Sequence, residues 1–162
     1  MKNNILIFRS AKHAIVENLI EKICNDDTYV QIYLCVQEEC VERYSKYENV
    51  KCMVFPNGFF DYNVIARKND LVEELKQNTY QRIYVPYSTA KPEISEIKKI
   101  ILKILKVHNI YLCNKTGKIY RKYINKYFTF NKKVFVVLKN DVIYMLLKIL
   151  GIWYMRGLDD DK

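Results

Sequence analysis

Arg9, Ser10, Lys12 and His13 crowd into the short stretch ILIFRSAKHAIV, residues 5–16. An apolar run, Ile5 to Phe8, precedes them and an amphipathic stretch follows. A turn from a buried strand into a helix is where α/β proteins often hold a phosphate. Free backbone N–H groups and the positive end of the helix dipole meet there. Arg9 can grip a phosphate or carboxylate with two parallel N–H bonds. Ser10 and Lys12 add a hydroxyl and a second cation for the same anion. His13 can give or take a proton near neutral pH, which makes it the candidate catalytic residue. The structural alternative pairs Arg9 with an acid and leaves His13 in solvent. The turn holds no glycine, so side chains stand where a dinucleotide's pyrophosphate needs bare backbone.

A second group lies in PNGFFDYN, residues 56–63. Phe59, Phe60 and Tyr62 can stack on the flat face of a sugar or base, and Asp61 can accept from a hydroxyl. Tyr87 and Ser88, after the next strand, point toward the same crevice. The alternative is that the two phenylalanines plug the core.

Other chemistries are argued against. No Walker A sequence is present. The first and third strands end in Phe8-Arg9 and Phe55-Pro56, without the carboxylates of a phospho-acceptor. Glu38 and Glu39 stand where dinucleotide folds hold a ribose, but the glycines that go with them are missing. His13 and His108 lie far apart with no carboxylate spacing around them, so no metal site is expected. The five cysteines form no Cys-x-x-Cys pair and are odd in number, which indicates buried thiols in a reducing compartment. No cofactor is expected.

The elements that must position these residues alternate along the chain. Ile5–Phe8, Tyr29–Val36, Val50–Phe55, Arg82–Val85 and Ile110–Cys113 read as strands. Between them, Ala11–Cys24 places Ile15, Leu19 and Ile23 on one helical face, with Ser10 as its expected cap. Cys40, Val41, Tyr44 and Tyr47 mark a short second helix. Asp70 is expected to cap a third, with Glu73 completing a capping box. Ile94, Ile97, Ile101 and Ile104 mark a fourth. FFDYNVIARKN reads as irregular. Strands alternating with helices predict a three-layer, Rossmann-like α/β fold. Its doubly wound, mostly parallel sheet has five to six strands, helices on both faces and a switch point beside the first strand.

Residues 1–117 form the expected core. Residues 118–156 read as a basic, aromatic extension packed on that core or forming an interface. Residues 157–162 read as an acidic tail expected to be disordered. The chain carries a net charge of +9, and residues 118–156 alone carry nine basic side chains against Asp141. Such a region suits anionic membrane or a protein partner, and after these nucleic acid. Ile119, Tyr123, Ile124, Tyr127 and Phe128 read as a helix with Lys118, Arg121, Lys122 and Lys126 opposite. Val134–Leu138 reads as a sixth strand. Val142–Met155 is apolar nearly all round, a helical segment for core, subunit interface or membrane surface, and shorter than the ~20 residues that span a bilayer. The N-terminus lacks the pattern of a signal peptide, so a cytoplasmic location is expected, or one at the inner face of the membrane.

The order of these pieces resembles the N-terminal half of the two-domain GT-B glycosyltransferases, especially the heptosyltransferase-like family 9. ILIFRS resembles that family's first strand, which ends in arginine. YVQIYLCVQEECVERYSKYENVKCMVF resembles its second strand, acceptor-side helix and third strand. YQRIYVPYS and KVHNIYLCNKTGK resemble the fourth and fifth strands, so the likeness spans residues 4–118. It implies a role in glycan assembly, with a glycan or nucleotide-sugar as ligand. The family's catalytic base is an aspartate in a Gly-Asp pair opening the first helix. Here Lys12-His13-Ala14-Ile15 stands in its place, with His13 the residue left to act as base. The family's second, donor-binding domain has no counterpart among these residues. The expectation is therefore a chain that binds an acceptor or supplies half a site to a partner or second copy, rather than one that catalyses alone.

Overall fold

The computed structural model describes residues 3–56, 58, 60–90 and 92–124. The chain divides after Asn125, and every described residue belongs to the first unit. Phe59, the strand expected at 134–138, the apolar segment 142–155 and the tail lie outside the described residues.

Six strands form one sheet in the order β3-β2-β1-β4-β5-β6. They are β1 (Asn3–Phe8), β2 (Val30–Gln37), β3 (Val50–Phe55), β4 (Arg82–Pro86), β5 (Asn109–Cys113) and β6 (Ile119–Tyr123). The first five run parallel, and β6 returns antiparallel to β5. β1 pairs with β2 on one side, Ile7 opposite Leu34, and with β4 on the other, Ile7 opposite Tyr84. Its Ile-Leu-Ile-Phe run is buried throughout, as a central parallel strand requires.

Because side chains alternate along a strand, β1 feeds two separate clusters. Ile5 and Ile7 join Val16, Leu19, Ile20 and Ile23 of α1 (His13–Asp26) and Tyr44 of the short α2 (Val41–Tyr44). Leu6 and Phe8 join Ile65 of α3 (Tyr62–Ile65), Leu71 and Leu75 of α4 (Asn69–Lys76), and Ile97 and Ile100 of α5 (Ser95–Ile100). Burying side chains of this size contributes ~1.5–3 kcal/mol each. α5 continues as a π-helical turn, Ile101–Leu105, and ends at Lys106 in the left-handed conformation.

Four local expectations are corrected. Ser10 does not cap α1, whose N-cap is Lys12, because its hydroxyl bonds across the sheet instead. Asp70 sits inside the first turn of α4 behind Lys68, so no capping box forms. The stretch after β3 is not wholly irregular: Asp61 accepts from Asn63 N at 2.7 Å and Val64 N at 3.3 Å, and that cap starts α3. Residues 119–123 are a strand rather than a helix. Asn114 Oδ1 accepts from Thr116 N at 3.0 Å and Lys118 N at 2.9 Å, and Gly117 takes φ 75°. That turn folds the chain straight back, and five pairings with β5 outweigh the helical spacing. Among the described residues no helix is long and apolar enough to cross a membrane.

Candidate functional site

Since β1 to β5 are parallel, their carboxyl ends share one edge. Arg9 follows β1 there, its backbone N–H donating to Cys35 O at 3.0 Å. Gln37, the last residue of β2, is only 3 % exposed. Arg9 Nε donates to Gln37 Oε1 at 2.9 Å, and Nη2 donates to the same oxygen. Gln37 Nε2 in turn donates to Gly58 O at 3.1 Å. Gly58 sits at φ 108°, a conformation that favours glycine, in the loop after β3. One buried amide thus ties the ends of β1 and β2 to the loop after β3. Among the described residues Arg9 forms no ion pair, so a neutral amide holds its guanidinium and its charge stays uncompensated.

Ser10 Oγ donates to Pro86 O at 2.7 Å, which stitches the end of β1 to the end of β4. The hydroxyl oxygen keeps its lone pairs, so Ser10 can only accept from a ligand. Lys12 is exposed, and its carbonyl receives Ile15 N at 3.0 Å in the first turn of α1. Among the described residues its ammonium forms no ion pair.

His13 is the first residue of α1 and is half-buried. Its Nδ1 lies 3.0 Å from Tyr44 Oη, and the two rings are tilted at 5.9 Å. Tyr44 is fully buried, and burial pushes its phenol up to about 12, so it stays protonated. The hydroxyl hydrogen needs an acceptor, and among the described residues Nδ1 is the one in hydrogen-bond reach. Tyr44 therefore donates to Nδ1, and the imidazole's proton sits on Nε2. Burial, then Arg43 and Arg9, hold the imidazole's pKa below its ordinary value, against a smaller pull from Glu17. His13 is thus a neutral ring offering an N–H. Abstracting a proton at Nε2 requires a tautomer change that leaves the Tyr44 hydrogen without its acceptor. Glu17 itself is bound by both forks of Arg43, at 3.0 and 3.1 Å.

The second expected group divides. Phe60 is buried edge-on to Phe8 at 5.4 Å and Phe55 at 5.3 Å, so it plugs the core instead of offering a stacking face. Asp61 is exposed, with its carboxylate engaged in the α3 cap. Tyr62 is half-buried beneath Lys103, whose Nζ lies 4.6 Å from the ring centre. Tyr87 and Ser88 are half-buried after β4, with Tyr87 N donating to Cys113 O at 2.8 Å. Among the described residues no group of three His, Cys, Asp or Glu side chains could hold a metal ion, and all five cysteines are free thiols.

Gln37 and Tyr44 were not anticipated as parts of this site. The signal for Gln37 is a lone amide closing the otherwise apolar end of β2. Tyr44 carries no comparable signal, since it also fits the apolar stripe of a short helix.

No family model, no curated protein and no solved structure matches the chain.

Proposed function

We propose that this chain is a GT-B N-terminal-domain-like protein of glycan assembly. It binds an anionic glycan or nucleotide-sugar at the carboxyl edge of its sheet and acts with a partner or second copy. Strand order supports a doubly wound, three-layer, Rossmann-like reading, because the direction of winding reverses between β1 and β4. Ligands of open α/β sheets sit at that reversal. The observation that carries the proposal is the state of Arg9. A half-buried guanidinium stands at the reversal, oriented by Gln37 and with no ion pair among the described residues. A phosphate or carboxylate there completes both its charge and its unused N–H groups.

His13 supplies a neutral N–H to the same ligand. With Tyr44 fixing the tautomer and no carboxylate opening α1, the arrangement favours binding over proton abstraction. Glycosyl transfer then needs a second wall, which a partner supplies. This work belongs to the cytoplasmic side, where nucleotide-sugars are available.

Calorimetric titration with UDP-glucose, GDP-mannose and CMP-sialic acid tests the proposal. Wild type is expected to bind at least one. Arg9→Ala should lose roughly ten-fold or more in affinity, the range of one charge-assisted bidentate contact. Arg9→Lys should fall between, since it keeps the charge but not the fork. Equal affinity of wild type and Arg9→Ala, or no binding of any of the three by wild type, contradicts the proposal.

A further inference from the structure

The stretch from Lys106 to Ile124 contains Lys106, Lys115, Lys118, Arg121 and Lys122 and no Asp or Glu. The ion pairs among the described residues lie elsewhere: Arg43 and Lys46 with Glu17, Lys51 with Glu74, Lys99 with Glu96. Burial and the charge of Lys122 even hold the Lys98 ammonium below its ordinary range. A concentrated positive field therefore follows the β5–β6 hairpin.

Aromatic rings stand inside that field. Pairing aligns Tyr84, Tyr111 and Arg121 in one row across three strands, and Asn109 with Tyr123 one pleat away. The Tyr84 and Tyr111 rings lie 5.3 Å apart, and the Arg82 guanidinium is 6.0 Å from the Tyr111 centre. His108 stacks on Tyr123 at 5.7 Å and 20°. Tyr84 is buried and Tyr111 half-buried, whereas Tyr123 is 63 % exposed. On the other face of the strand Tyr120 is 41 % exposed, with Lys118 Nζ 5.2 Å from its ring centre.

We propose that the β5–β6 edge binds single-stranded nucleic acid. Bases stack on the exposed rings of Tyr123 and Tyr120, and phosphates are met by Lys118, Arg121 and Lys122. The two tyrosines face opposite sides of one strand, so the occupant must bend around an edge. It must also present flat faces beside closely spaced negative charge. A single strand does all three, whereas a duplex hides its base faces and a lipid surface offers charge without rings. The proposal is independent of the carboxyl-edge reading, because no residue is shared between them.

Fluorescence anisotropy of the full chain with a labelled oligouridylate of about 15 nucleotides tests it. Saturable binding at low salt is expected, weakening steeply as salt rises. Tyr123→Ala should reduce affinity roughly 5- to 150-fold, equivalent to one lost base stack, while Tyr123→Phe restores most of it. Heparin, a polyanion without bases, should bind Tyr123→Ala and wild type alike. Arg121→Gln should weaken both ligands. Should Tyr123→Ala melt early, Tyr120→Ala reads the same loss from the opposite face. The proposal is overturned by absence of saturable oligonucleotide binding at low salt. An equal loss for heparin and oligouridylate in Tyr123→Ala also overturns it, as does binding to phosphatidylglycerol vesicles without binding to the oligonucleotide.

Discussion

At the carboxyl ends of β1 and β2, polar groups are held by one another. Arg9 donates to Gln37, Gln37 to Gly58, Ser10 to Pro86, and Tyr44 to His13. Along and just before β6, the exposed Lys118, Arg121 and Lys122 form no ion pair among the described residues. The first region is pre-organised, with side chains already fixed where a ligand would meet them, so little ordering entropy remains to be lost on binding. The second region is a positive field with exposed aromatic faces, where the single strand proposed above would bind with little sequence preference and with a strong dependence on salt. A region whose bonds are internal should lose stability when altered. A region whose partners are external should lose only binding.

The largest expected effect is in the core beneath the carboxyl edge. Phe60→Ala removes a ring packed on Phe8 and Phe55 and should cost ~3–5 kcal/mol in urea denaturation. A cost like that of an exposed phenylalanine contradicts its placement. Next comes Gln37→Leu, which strips the acceptor from Arg9 and the donor from Gly58 O. It should cost ~2–3 kcal/mol, and Arg9→Ala combined with it should cost less than the two single changes together. Strict additivity of the pair breaks the claim that they act as one unit.

The pH dependence follows with a defined sign. His13 is held below its ordinary 6.5 in the folded chain, so just below that value the unfolded chain takes up a proton that the folded chain refuses. Stability conferred by neutral His13 is complete above pH 6.5 and is lost as pH falls through the folded value. Glu17, held below its ordinary 4.5 by Arg43, adds a separate loss at lower pH. His13→Asn keeps an acceptor for Tyr44 and should remove the first phase alone, as thermal melts across that window would reveal. The smallest effect is expected along β6. Arg121→Gln and Lys122→Gln should each change stability by no more than about 0.5 kcal/mol, and a larger loss would point to an internal partner.

Much of the sheet was legible because buried parallel strands leave continuous apolar runs. Ile5–Phe8 is such a run, and Val50–Phe55 is an apolar-rich stretch closed by Pro56-Asn57-Gly58. The site was legible only in part. Arg9 was marked by its place after a buried strand, but its partner Gln37 lies 28 residues away, and only the pairing of β1 with β2 brings the two together. Likewise, nothing local ties His13 to Tyr44 across 31 residues. Asp61 looked free for a ligand because the one-turn helix it caps is too short to show a period. Residues 119–123 suit a helix by spacing and a strand by pairing. The turn that decides between them is Asn114-Lys115-Thr116-Gly117, where one side-chain oxygen collects the N–H groups of the bend.

The separation of the two regions is tested most directly by titrating wild type, Arg9→Ala and Tyr123→Ala with both a nucleotide-sugar and the oligouridylate. Arg9→Ala is expected to lose the nucleotide-sugar and keep the oligonucleotide, and Tyr123→Ala to do the reverse. A variant that weakens both ligands, or two variants that weaken neither, contradicts the account.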